Sequence, residues 1–140
     1  MSFSFQKIDK ILGWEIFFIA AAVYISTVEP TASYWDCGEY ISTAYKLQIG
    51  HPPGAPLYQL LGRLFSLLSF GDISKVASSI NLMSAIASAF TVMFLYWSIT
   101  LLVSHFLSKN DEVRAENEYL ILGIGLSGAL AYLFTDSFWF

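Results

Sequence analysis

Between residues 36 and 56 the sequence reads DCGEYISTAYKLQIGHPPGAP, which sets Asp36, Glu39 and His51 among apolar and small residues. Two carboxylates three residues apart stand on one face of a helix. There one acid can take a proton as a general base while the other orients its partner or joins it in holding a divalent cation. Asp36, Glu39, Thr43 and Lys46 fall at i, i+3, i+7 and i+10, so a helix over 36–48 gathers them into one polar stripe. A plainer chemistry fits the same residues. Asp followed by Glu three residues later has the spacing of a capping box, with Asp in place of Ser or Thr, and both acids then serve the free N–H groups of a helix start. His51 is equally double: in a proline turn it is either a hydrogen-bonding turn residue or a ligand. Cys37 lies between the acids without a paired His at a diagnostic position, so a thiol nucleophile lacks support. The sequence contains no G-x-x-x-x-G-K-[ST], G-x-S-x-G or H-E-x-x-H, which removes P-loop, hydrolase-elbow and zincin chemistry.

The elements that must position these residues follow from composition. Of the 140 residues 56% are hydrophobic and 13% charged, with a mean hydropathy of +0.58, which lies outside soluble norms and points to a bilayer. The net charge of −4 comes with no block of Lys and Arg, so nucleic acid is excluded as a partner. The single Cys37 excludes an internal disulfide framework.

Residues 11–28, ILGWEIFFIAAAVYISTV, are long enough to cross a hydrocarbon core of about 30 Å. They exceed a signal-peptide core, carry Glu15 and lack an A-x-A exit, which favours an uncleaved first membrane helix with Glu15 near one end. Residues 77–107 form the longest apolar stretch, and Asn81, Ser84, Ser88 and Thr91 give it a small polar packing face. A charged connector at 108–118 leads to a third apolar run, at 119–135, whose aromatic tail with Trp139 suits an interface. Three crossings put the loop of residues 29–76 and Asp136 on one side. Lys7, Lys10, Lys109 and Arg114 then face Lys46, Arg63 and Lys75 across the bilayer, a slender positive-inside bias. Within the loop GHPPGAP cannot be helical, because two prolines and a pre-proline His51 enforce an extended or turned path. Pro56 opens a second helix at 55–70, apolar except for a stripe with Gln59, Arg63 and Ser66, and with Arg63 central it reads as interfacial or packed under the loop.

The run TVEPTASYWDCGEYISTAYKLQIGHPPGAPLYQLLGRLFSLL, with W-D-x-G-E followed by H-P-P-G-x-P, resembles the N-terminal part of a bacterial multi-spanning membrane family related to protein O-mannosyltransferases, glycosyltransferase family 117. The resemblance implies an all-α integral membrane fold of the GT-C type in the bacterial cytoplasmic membrane. This chain then supplies about three membrane helices, with amphipathic surface helices in the first extracytoplasmic loop. It implies an enzyme that transfers a sugar from a polyprenyl-phosphate donor to a protein or glycan hydroxyl on the outer side. In that frame Asp36 is the base and Glu39 orients the acceptor, or the two share a divalent cation. His51 or Arg63 meets the departing phosphate, and Trp35 and Asp136 complete the substrate contacts. The chain ends within an aromatic cluster at Phe140, as if cut, and such a piece is expected to be inactive alone. The alternatives are a non-catalytic membrane scaffold or partner subunit and, with only Arg63 as a mid-helix charge, a transporter.

Overall fold

The computed structural model describes residues 3–33, 35–52, 54–107 and 117–135. Among the described residues five α-helices follow one another: α1 Phe3–Thr27, α2 Cys37–Lys46, α3 Pro56–Ser66, α4 Val76–Leu107 and α5 Glu118–Leu133. Two 3-10 turns, Leu67–Ser69 and Ile73–Lys75, join α3 to α4, and no strand is present among the described residues. The helix expected at 11–28 begins earlier, at Phe3, so Glu15 lies in its middle and is exposed. The connector expected at 108–118 falls almost wholly outside the described residues. The chain divides into two compact units, residues 25–87 and residues 1–24 with 88–140.

Residues 25–87 carry α2, α3 and the first three turns of α4. Here α2 closes on itself: Leu47 adopts a left-handed backbone, its N–H reaches the Ala44 carbonyl, and the Gln48 N–H reaches the Thr43 carbonyl at 2.9 Å. This is a Schellman ending with leucine where glycine is usual. The next free carbonyl, that of Tyr45, accepts from Arg63 Nη1 at 2.7 Å, and the guanidinium lies over the Tyr45 ring. A helix end that would otherwise leave carbonyls unpaired is thereby satisfied from α3. At Gly62 the two helices approach so closely that an added Cβ would stand 2.9 Å from the Ala44 Cβ. Ile41, Ala44, Val76, Ile80 and Met83 fill the space between α2 and α4.

The polar stripe of α3 faces inward. Gln59, Gly62 and Ser66 are its buried residues. Leu57, Leu60, Leu64 and Leu67 are 69%, 58%, 60% and 58% exposed. Thr43, expected on the polar stripe of α2, is buried too, 3.5 Å from Gln59 Nε2. Thr43 and Ala44 of α2 meet Gln59 and Gly62 of α3 in the seam between the two helices, while Asp36, Glu39 and Lys46 stay exposed.

The 3-10 turn Ile73–Lys75 that leads into α4 is capped by Asp72, whose Oδ1 accepts from the Ser74 N–H at 3.0 Å while its Oδ2 pairs with Lys75. One turn inside α4, Asn81 uses both amide hydrogens on the segment between α1 and α2, donating to the Glu29 and Thr31 carbonyls at 2.8 Å each. Asn81→Ala is expected to lower stability by about 1–3 kcal/mol, because it strands two carbonyls in a partly buried place. Thermal unfolding of the purified protein in detergent measures this; an unchanged melting temperature refutes it.

Residues 1–24 and 88–140 form the second unit from α1, the rest of α4 and α5. Small residues set its close approaches. The Trp97 indole covers Gly13 and donates to the Asp9 carbonyl at 3.2 Å, and a Cβ on Gly125 would stand 3.0 Å from the Tyr96 ring. The Tyr24 hydroxyl donates to the Leu133 carbonyl at 3.0 Å. Such contacts suit helices associating in lipid, where backbones meet at small residues. By length and composition, one helical stretch among the described residues, Ile73–Leu107, can cross a membrane, with a hydropathy of 1.9 and only 28% of its most apolar window buried. Helix α5 is apolar but shorter.

Candidate functional site

The left-handed Leu47 turns the chain back along α2. From Glu39 to Lys46 the helix advances about 10 Å, and the four steps from Leu47 to His51 can span about 13 Å in extended form. His51 thus returns to the level of Glu39. The Glu39 carboxylate receives it with both oxygens: Oε1 accepts the His51 backbone N–H at 2.9 Å, and Oε2 lies 2.9 Å from Nδ1. On its other edge the imidazole presents Nε2 to Asp36 Oδ2 at 3.7 Å. Neither acid caps α2. Asp36 holds the position before the first turn, but its side chain makes no capping hydrogen bond and is 62% exposed. The ring of His51 meets Tyr40 edge-on at 6.1 Å, and Tyr40 meets Tyr58 at 5.5 Å. Tyr58 is half-buried on α3 and hydrogen-bonded with Ser84 of α4.

The two hydrogen bonds from His51, the backbone one foremost, hold the Glu39 carboxyl below its ordinary 4.5. The hydrogen bond to Glu39 holds His51 above its ordinary 6.5, with the Glu39 and Asp36 charges adding to it. A lowered acid stabilises the fold above its unfolded value and loses that contribution as pH falls through the folded one. A raised base stabilises below its unfolded value and loses that contribution as pH rises through the folded one. The clamp is therefore fully engaged from 4.5 to 6.5 and loosens on either side. Amide hydrogen exchange over residues 48–51, corrected for intrinsic rates, is expected to show its greatest protection in that window and to lose this pH dependence in Glu39→Gln. Protection that does not fall on either side of the window overturns the clamp.

The other residues singled out by the sequence separate. Arg63 serves the Tyr45 carbonyl and is not brought to His51. Trp35 is 97% exposed beside Asp36, with φ 60°, a left-handed backbone rare for so bulky a side chain. Asp136 lies outside the described residues. Both oxygens of Glu39 are engaged, and among the described residues no group of three His, Cys, Asp or Glu stands ready for a metal ion. The imidazole stands between the two acids, 2.9 Å from Glu39 Oε2 and 3.7 Å from Asp36 Oδ2. Sequence reasoning missed the pairing of Glu39 with His51 and the Tyr40–Tyr58 brace behind it. The available signal was the match between the length of α2 and the return that follows it.

A family model described as the protein O-mannosyl-transferase TMEM260 N-terminal domain matches residues 36–140. The protein O-mannosyl-transferase tmem260 of Dictyostelium discoideum is 32% identical over 90 residues, which cover 64% of this chain and 11% of that protein. The protein O-mannosyl-transferase TMEM260 of Mus musculus is 34% identical over 85 residues, 60% of this chain and 12% of that protein. The chain thus spans about a tenth of the length of the curated relatives it matches. No solved structure matches.

Proposed function

Since the chain belongs to the family of the protein O-mannosyl-transferase TMEM260 N-terminal domain, we propose that it carries the N-terminal part of a GT-C type membrane glycosyltransferase. The enzyme moves a sugar from a polyprenyl phosphate to a hydroxyl of a protein or glycan on the extracytoplasmic side. Helices α1, α4 and α5 cross the membrane, the bacterial cytoplasmic membrane in the resemblance, while α2 and α3 lie on its outer surface. The relatives' names make mannose the sugar, and a protein hydroxyl the acceptor, to test first.

The observation that carries this reading is the state of Asp36: a carboxylate at a helix start, free of capping duty, exposed and facing an imidazole. Asp36 takes the proton of the acceptor hydroxyl as that oxygen attacks the anomeric carbon. The bond from this carbon to the phosphate oxygen breaks, polyprenyl phosphate leaves with the electron pair, and the configuration inverts. Trp35 offers an exposed ring beside the reacting centre. Membranes carrying the full-length transferase of which this chain is the N-terminal part are expected to transfer label from polyprenyl-phosphate mannose to a Ser/Thr acceptor peptide, with one polyprenyl phosphate released per sugar and an inverted anomer. Direct transfer from a nucleotide sugar, or a retained anomer, overturns the proposal.

A further inference from the structure

We propose that Glu39 is a positioning residue that acts through His51 and does not touch the substrate. It holds the 48–51 return and the imidazole so that Nε2 faces Asp36, and the proposal rests on Asp36 being the base. Three features of the geometry lead there. Both Glu39 oxygens are already engaged at 2.9 Å, one by the His51 N–H and one by Nδ1, so contact with an acceptor hydroxyl would require breaking a bond that orders the turn. A Cβ on Gly50 would stand 3.2 Å from Glu39 Oε1, so the returning backbone passes directly against the carboxylate. The imidazole, held at Nδ1 by Glu39, also meets Tyr40 edge-on, and Tyr40 meets Tyr58, so its orientation has contacts on two sides.

That orientation has a chemical consequence. With Nδ1–H committed to a carboxylate, Nε2 is the atom left to face Asp36, and the partner on one ring nitrogen decides what the other presents. A protonated Nε2 at 3.7 Å restrains the Asp36 carboxylate by charge and hands it to the acceptor in one pose. The charged and titratable groups around the imidazole are Asp36 and Glu39 from the α2 segment, with Tyr40 on its face and Tyr58 of α3 behind.

The test is a double-substitution cycle on the transferase in native membranes, with levels matched: Glu39→Gln, His51→Gln and both together. In Glu39→Gln the new side chain keeps an oxygen for the His51 N–H but turns an amide N–H toward Nδ1, which moves the proton of the neutral ring to Nε2. Each single change is expected to lower kcat about tenfold or more, with the acceptor KM within about twofold. The double variant should fall no more than about threefold below the worse single one, since residues acting as a unit do not multiply. A tenfold rise in acceptor KM in Glu39→Gln, multiplication of the two factors, or a wild-type kcat in either single variant overturns the proposal. If Glu39→Gln fails to accumulate, His51→Gln decides by the same split of kcat from KM, because it leaves the backbone bond to Glu39 in place. Asp36→Asn separates the two ideas: retained transfer removes the base and the clamp's role with it, whereas lost transfer beside multiplying Glu39 and His51 factors removes only the positioning role.

Discussion

Asp36→Asn is expected to lower transfer by about two to four orders of magnitude, the span that a positioned general base contributes, while the protein accumulates and melts as the wild type does. The two halves of this result have separate grounds. Catalysis falls because the amide of Asn cannot take the acceptor proton, and the substitution is otherwise nearly isosteric. Folding is spared because the Asp36 side chain makes no capping hydrogen bond and is mostly exposed. Its charged contact among the described residues is with His51 at 3.7 Å, and exposed pairs of that kind contribute little to stability. A helix cap behaves in the opposite way: truncation lowers stability, by about 1 kcal/mol in ordinary cases, and leaves chemistry alone. The measurement is a glycoprotein mass profile of cells with the substitution made in place on the chromosome, together with protein levels in the membrane. Loss of one sugar mass at equal protein level is the expected outcome. An unchanged profile returns Asp36 to a structural role and ends the glycosyltransferase reading of the site.

The helices α2, α3, α4 and α5 were legible in the sequence because their ends are punctuated, by the proline pair after His51, by Pro56, and by the polar residues at 108–118. The early start of α1 was not, since Lys7, Asp9 and Lys10 break the apolar pattern without breaking the helix. The acids and His51 were visible as separate candidates, but their pairing was hidden. It depends on a left-handed turn at Leu47, and leucine does not announce that conformation as glycine does. The capping-box spacing likewise says where Glu39 stands in the helix, not which N–H it serves, and the N–H it serves is twelve residues away. For α3, periodicity separates a leucine face from a Gln59–Ser66 face but cannot say which one turns inward.

Leu64→Lys on α3 is expected to destabilise the protein in lipid by about 2–3 kcal/mol if the helix is sunk in the apolar layer, and by less as it rises toward the headgroups. The argument starts from the inverted helix. Its polar face is used up against α2, by Gln59 near Thr43 and by Arg63 on the Tyr45 carbonyl, so its leucines must face whatever lies outside. Leu57, Leu60, Leu64 and Leu67 form that face, and Phe70 beyond them is 92% exposed. In water such a face is unfavourable, each leucine forgoing about 1.5–3 kcal/mol of burial, and a lysine there would be neutral or helpful. In lipid the same lysine must snorkel or desolvate, and the sign reverses. The sign of the change, read from unfolding in nanodiscs, therefore reports the medium that α3 meets. Destabilisation places the helix beneath the Asp36–His51–Glu39 cluster as a float at the membrane surface, the level at which a lipid-linked sugar would arrive. Stabilisation removes the lipid from that face and requires another protein surface to cover it.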